Sequence, residues 1–358
     1  MKNKKVLIIV LVILIVLALA LVGAFFGIQY MNNKYKQDIS NNGENNDDLT
    51  VVVDVNDKDE AKVDIIDVNS KTRPYAISVN NTPVAVKVQT GLNKAYLVYE
   101  IPTEGNTSRL LALYKDVNED LTVGTIRSSR HNFIDYALES DAIFVHYGWS
   151  HYAQDDEKAG SINFINGLFD KPFWRNNPEN LASEHTAYTS IAKIKQTVKD
   201  KGFKTESDRT VLLNYNPKDV DLSSNSDAKV ANKVIIPYGA NPNVTTFVYD
   251  ANSKMYNRQE NGTNCIDYNT KEQVNTKNII VQKINYTKCS DNYYWDLKTV
   301  GSGSGYFITN GYAVPITWKK DSRAGKTKYY YKNGKEIEVS DGRTYIEIQT
   351  TNQELSIN

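Results

Sequence analysis

All four histidines, His131, His146, His151 and His185, fall within 55 residues of the 358-residue chain. Arg109, Arg127, Arg130 and Arg175 lie before and among them, and Glu100 and Glu104 stand just upstream. Two arginines beside a helix N-terminus suit a carboxylate or phosphate, because guanidinium forks and free helical N–H groups both favour anions. The bland alternative pairs Arg127 and Arg130 with Asp135, Glu139 or Asp141 as surface ion pairs of about 0–1 kcal/mol. The candidate ligand-binding set is Glu100, Glu104, Arg109, Arg127, Arg130, His146, Ser150 and His185; of these, Arg127, Arg130, His146 and His185, joined by Glu100 or Glu104, are expected to line one cleft.

Other chemistries fit less well. Gly148-Trp149-Ser150 lacks the glycine two places after the serine that a nucleophile elbow needs, since Tyr152 stands there. Ser150 reads more simply as a helix cap. His146 and His151, with His185 and Asp155 or Asp156, lack the helical His-x3-His spacing of zinc proteases, and no metal or cofactor is expected. Glu100 and Glu104 are candidates for paired carboxylates in glycoside chemistry, although such pairs are common on solvated loops. Gly301–Gly305 has no lysine for a phosphate loop and reads as a turn. Cys265 and Cys289 are expected to form a disulfide outside the cytoplasm; two separate buried thiols are the alternative.

These residues sit in a pattern of short strands and helices. Ala76–Val79, Ala95–Ile101, Leu110–Tyr114, Thr122–Ile126 and Ala142–Val145 read as strands. His131–Leu138 has helical spacing behind a Ser128 or Ser129 cap. A second helix runs from a Ser150 cap to Gly160, and a third starts at Thr189 or Ser190 and stops at Gly202. Strand–helix–strand over 122–145 predicts parallel neighbours with a right-handed crossover, which would set the Arg127–Arg130 and His146–Ser150 loops side by side at the carboxyl ends of the sheet. From about Val230 the chain reads as strands only, with Asn333-Gly334 as a hairpin turn.

Val6 to Ile28 carries no charge. As a helix this run would span about 34 Å against a hydrocarbon core of about 30 Å. Lys2, Lys4 and Lys5 precede it, which places the N-terminus in the cytoplasm and the body outside. An uncleaved single-pass membrane anchor is expected, because a signal peptide has a shorter apolar core. Formal net charge is zero, which excludes a basic nucleic-acid footprint. The expected layout is a basic tip at 1–5, a transmembrane helix at 6–28 and a polar linker at 29–70. An α/β or α+β domain with a partly parallel sheet follows at 71–216, then a junction at 217–232, an all-β domain at 233–350 and a tail at 351–358.

RPYAISVNN at 73–81, GLNKAYLVYEIPTEGNTSRLLALY at 91–114, GTIRSSRHNFIDYALESDAIFVHYGWS at 124–150 and the segment at His185 resemble, in order, the YerB-like lipoprotein family. FVYDANSKMYNR, NIIVQ, GSGSGYF, ITWKK and DGRTYIEI extend the resemblance to about residue 350. It implies an envelope protein of a Gram-positive bacterium, with a mixed N-terminal and a β-rich C-terminal domain of unknown function. Glu100, Glu104, Arg109, Arg127, Arg130, His146 and His185 are motif positions, but the resemblance supplies no reaction. Many relatives are tethered through a lipidated cysteine, whereas this chain carries an apolar run instead. The expected function is non-enzymatic binding of peptidoglycan, teichoic acid or a cell-wall synthesis protein. The alternative is a wall-acting hydrolase or lyase using Glu100/Glu104 and His146/His185; release of soluble fragments from peptidoglycan would separate the two.

Overall fold

The computed structural model describes residues 62–209, 211–239 and 243–358. The apolar run at 6–28, the basic tip and most of the linker lie outside them. Among the described residues no helix is long and apolar enough to cross a membrane. The final stretch of the expected linker is packed rather than free: Ile66 is buried, and the Asp64 and Ile65 N–H groups donate to the Asp341 carboxylate at 2.9 and 3.0 Å.

In chain order the first half supplies β1 (Tyr75–Asn80), β2 (Leu97–Thr103), β3 (Thr107–Tyr114), β4 (Thr122–Gly124) and α1 (His131–Glu139). It continues with β5 (Ile143–His146), α2 (His151–Lys158), β6 (Phe164–Asn166), β7 (Phe173–Arg175), β8 (Ala187–Ser190) and α3 (Ile191–Asp200). The main feature is an 11-stranded mixed sheet. Its order from one edge is Lys229–Val230, Tyr312–Lys320, Gly301–Thr309, Asn278–Ile284, Thr344–Thr350, β2, β3, β1, β5, β6, and the eleventh strand, Lys328–Tyr331, also pairs with Tyr312–Lys320. Thr344–Thr350 lies parallel to β2, with Leu97 opposite Thr344 and Glu100 opposite Glu347. One sheet therefore runs through both halves of the sequence.

Alternation along these strands sends side chains to two opposite faces. Val79, Val98, Leu110, Ala112, Val281 and Tyr345 share one core with α3 and with Val234, Phe247 and Tyr256 of a six-stranded second sheet. Leu97, Tyr99, Leu111, Ile280 and Ile346 share the other with Phe133, Ile134 and Ala137 of α1 and Ala153 of α2. The helical spacing of residues 133, 134 and 137 thus buries one face of α1 on the sheet.

Several expectations are corrected. The strands at 122–126 and 142–145 are not neighbours. β5 is buried along its length and runs parallel between β1 and β6, while the shorter β4 pairs antiparallel with β8 in a separate three-stranded sheet. Gly124 permits that pairing, since a Cβ there would stand 2.2 Å from the Tyr188 ring. α1 begins at His131 with Arg130 at its N-cap and no side-chain cap bond; Ser128 Oγ donates instead to the Tyr147 carbonyl at 3.1 Å. Ser150 and Ser190 do cap α2 and α3.

In the second half, Gly301–Gly305 is not a turn but the start of the nine-residue strand Gly301–Thr309. Glycine is required there by close approach: a Cβ at Gly303 would lie 2.6 Å from the Trp318 indole nitrogen, and one at Gly305 2.0 Å from the Val281 carbonyl oxygen. Asn333-Gly334 does turn the chain, with Gly334 at φ 82 and Tyr330 bridged to Glu336. The expected disulfide is absent, and both cysteines are free. They belong to different parts of the fold. Cys265 is buried against the Arg258 guanidinium at 3.0 Å. Cys289 lies on the connection between Tyr286–Lys288 and Trp295–Leu297, with its sulfur 4.0 Å from His131 Nε2.

Candidate functional site

Two loops run together as a short parallel ribbon. Tyr147 N–H donates to the Arg127 carbonyl at 3.0 Å, Ser129 N–H to that of Gly148 at 2.9 Å, and Ser150 N–H to that of Ser129 at 3.1 Å. Arg127 N–H in turn donates to the Ser78 carbonyl at 2.9 Å, tying the ribbon to β1. Gly148 adopts φ 82 where a Cβ would press on Ser128 Oγ at 3.0 Å. The sequence expectation that these loops lie side by side therefore describes their arrangement, although β1, not β4, is what aligns them.

The β2–β3 turn brings Glu104 and Arg109 to this ribbon. Glu104 accepts from Arg130 Nε at 2.8 Å and from Arg130 Nη2, and from Arg109 Nη2 at 3.5 Å. Arg109 Nη1 and Arg130 Nη1 donate to the carbonyls of Ser128 and Ser129 at 2.7 and 2.8 Å. The Arg130 guanidinium lies 5.1 Å over the Tyr294 ring, on the connection that also carries Cys289. Arg127 completes the group but makes no side-chain hydrogen bond among the described residues. Its nearest carboxylate oxygen, on the half-exposed Glu184, is 4.0 Å away, and its Nε is shielded from solvent without a partner.

Two guanidiniums thus share the buried Glu104 carboxylate, and Arg127 beside them has only the more distant Glu184. Burial opposes ionisation of Glu104, yet the hydrogen bonds and charge of Arg130, helped by Arg109, hold its carboxyl below the ordinary range. Arg109 is pushed down by burial and then by the neighbouring Arg130 charge, and Arg127 by burial with a smaller contribution from Arg130. The excess positive charge is therefore held at a cost that a bound anion would relieve.

His185 flanks Arg127. Asn80 Oδ1 accepts from Thr82 N–H at 3.2 Å, so the Asn80 amide nitrogen faces His185 Nδ1, 2.8 Å away. Nδ1 must then accept, which assigns the proton of the neutral ring to Nε2. Burial, followed by the Arg127 charge, lowers the His185 pKa and favours this neutral, donating form.

The other candidate residues do not join this centre. Glu100 is fully buried. Its Oε1 accepts from Asn81, Ser108 and Thr245 at 3.0, 2.6 and 2.8 Å, and its Oε2 from Arg258 at 2.9 Å. Arg258 also reaches Glu260 at 3.0 Å, and Tyr238 donates to Glu347 at 2.5 Å. Burial pushes Glu260 and Glu347 up, with the Glu100 charge adding to it. His146 is also sealed from solvent. Its Nδ1 donates to the Gly148 carbonyl at 2.8 Å, and its Nε2 lies 3.1 Å from the Glu157 carboxylate. Neither Nε2 nor the carboxylate has an aligned hydrogen bond there. Ser150 accepts from Ala153 N–H at 3.2 Å as a helix cap. Among the described residues no group of three or more His, Cys, Asp and Glu side chains could hold a metal ion.

Sequence reasoning missed Glu184 and Asn80, which flank His185 only through tertiary folding. It also missed Arg258, Glu260 and Glu347, whose signal was visible only as charged residues inside strands that read as apolar or alternating.

The chain matches known proteins along most of its length. Residues 63–204 match the family model described as the N-terminal domain of a protein of unknown function, DUF3048, and residues 234–346 match its C-terminal domain. A relative from Bacillus subtilis (strain 168), described as "Putative lipoprotein YerB", is 33% identical over 288 residues, covering 78% of this chain and 82% of the relative. The crystal structure of YerB protein from Bacillus subtilis superposes with a TM-score of 0.69 at 29% identity, covering 80% of this chain and 94% of that one. With both family domains matched in order by sequence, and a like fold over most of the chain, the protein belongs to the DUF3048 family of proteins of unknown function, alongside YerB.

Proposed function

We propose that this is a membrane-anchored, extracytoplasmic envelope protein that binds an anionic cell-wall polymer at the Arg109–Arg127–Arg130 centre without transforming it. The observation that carries the reading is the charge imbalance: Arg109 and Arg130 share Glu104, and the neighbouring Arg127 guanidinium has only Glu184 at 4.0 Å and no hydrogen bond among the described residues. A phosphate or carboxylate would supply the missing acceptor as a charge-assisted bond. The uncharged run Val6–Ile28 serves as the anchor and sets the body outside, in keeping with a relative described as a lipoprotein. Glu100 and His146, which a hydrolase would recruit, are shut away from solvent, and this favours binding over cleavage.

The test is titration of the full-length chain in detergent micelles with purified anionic wall polymer at rising salt. Affinity should fall with salt, fall about tenfold or more in Arg127→Ala, and rise in Glu184→Gln, which removes the competing carboxylate. Equal affinity in all three proteins would sink the reading. Soluble fragments released by wild type would replace binding with catalysis.

A further inference from the structure

Arg127 and His185 meet across an antiparallel junction. Gly124 stands opposite Tyr188, and two residues on Ile126 N–H donates to the Ala187 carbonyl at 2.7 Å. Continuing that register brings Arg127 alongside the 3-10 turn Ser183–His185. The side chains agree. Arg127 Nη2 lies 4.0 Å from Glu184 Oε1, and after burial it is the Arg127 charge that lowers the His185 pKa. The turn itself is fixed: Thr186 Oγ1 donates to the Ser183 carbonyl at 2.8 Å, and Arg175 Nη1 donates to that carbonyl and, at 3.3 Å, to Thr186 Oγ1. The imidazole is fixed as well, because the Asn80 amide occupies Nδ1. Nε2–H is left donating to no protein acceptor among the described residues.

We infer that His185 Nε2–H is a second ligand contact of the anion site, joining Arg127 in holding a singly charged oxyanion, a phosphodiester or a carboxylate. This rests on the reading of Arg127 as an anion site and deepens it by naming the charge the site takes. Arg109, Arg127 and Arg130 carry one positive charge more than Glu104 and Glu184 balance. A neutral imidazole adds a hydrogen bond without adding charge. One anionic charge closes the balance, whereas a second would face Glu184 with no cation left for it. Asn80 is the positioning residue. Its Oδ1 is engaged by Thr82 N–H at 3.2 Å, so the amide cannot turn to accept from a protonated Nδ1 without losing that bond. Burial and then Arg127 oppose the imidazolium, and Glu184 on its own turn favours it. Arg175, bonded to the same turn from β7, adds further positive charge.

The experiment titrates the full-length chain in detergent micelles between about pH 6 and about pH 8. Two probes are used: poly(glycerol phosphate) for the phosphodiester and polygalacturonate for the carboxylate. His185→Ala should weaken binding about tenfold, and His185→Gln, which keeps a neutral N–H donor, should stay within about threefold of wild type. Either probe behaving this way upholds the inference, and the tighter one names the oxyanion. Wild-type affinity should stay level across the pH range. Inorganic phosphate, mostly a monoanion at the acid end and mostly a dianion at the alkaline end, should compete better at the acid end. Unchanged affinity in His185→Ala, with a loss in Arg127→Ala, overturns the inference and leaves the anion site standing. An affinity that falls as pH rises, with the fall abolished in His185→Ala, also overturns it, since His185 would then bind as the imidazolium. Phosphate that competes better as the dianion removes the single-charge assignment. If neither probe binds, or Arg127→Ala binds like wild type, the anion reading itself fails and this inference falls with it.

Discussion

Two charged centres grow from the β2–β3 hairpin, and they are opposite in composition. Near the surface, Arg109 and Arg130 crowd Glu104, and Arg127 beside them has only the more distant Glu184. Between the two sheets, Glu100, Glu260 and Glu347 surround Arg258. The first keeps surplus charge because it is close enough to solvent, or to a ligand, to have it compensated. The second has no such recourse. Glu100 and Glu347 face each other across adjacent parallel strands, so protonation of neighbouring carboxyls is the way to bury them. A charge surplus at an accessible place is thus a candidate for binding, and the same surplus in the core is a structural device. Sequence alone put Glu100 in the wrong class.

The largest expected effect tests the inner centre. Arg258→Ala removes the one cation among three buried carboxylates and should cost about 3–5 kcal/mol in urea unfolding, as for a broken buried pair. A loss under about 1 kcal/mol would mean the core tolerates those acids unaided. Glu104→Gln is expected to cost about 2 kcal/mol, because Arg109 and Arg130 lose their charged acceptor.

The two centres should also bend the pH profile in opposite directions. The Glu104 carboxyl is held below 4.5 in the fold, so its contribution is present above that value and lost as pH falls through the folded pKa. Glu104→Gln should flatten the acid limb of stability against pH. Glu347 is raised above 4.5, so its contribution is full below that value and lost as pH rises through the folded pKa. Glu347→Gln, which mimics the protonated acid, should change stability by under about 1 kcal/mol near pH 5 and stabilise the protein relative to wild type at alkaline pH. Identical pH profiles for the two variants would erase the distinction.

Smaller effects refine the picture. Arg127→Ala should leave stability within about 0.5 kcal/mol. By removing a charge that disfavours the imidazolium it should raise the His185 pKa toward 6.5, read from the imidazole proton shifts. An unmoved His185 would separate it from the site. Last, thiol labelling of the native protein should modify Cys289 and spare Cys265 until denaturation, and Cys289→Ser should leave the unfolding midpoint unchanged. A shift of several degrees would restore a bridge.

Local patterning made much of this fold legible. The 133–134–137 stripe, the serine caps at 150 and 190, and the Asn333-Gly334 turn are set by interactions within a few residues, and they stand where the sequence puts them. The grouping of Arg109, Arg127 and Arg130 was legible as a concentration of charge near strand ends. Partner choice was not. That β5 lies beside β1, and that a glycine–serine run is a strand, depends on which distant surfaces meet. Gly303 shows the reason: its need for hydrogen in place of a side chain is set by Trp318 across the sheet. Likewise nothing local distinguishes Glu100 from Glu104. Four residues apart, one points into the core beneath Arg258 and the other reaches Arg130 at the rim. Sequence determined which residues carry charge and where the chain turns. Tertiary structure alone decided which charges meet water and which must be neutralised, because burial is a property of the assembled sheets.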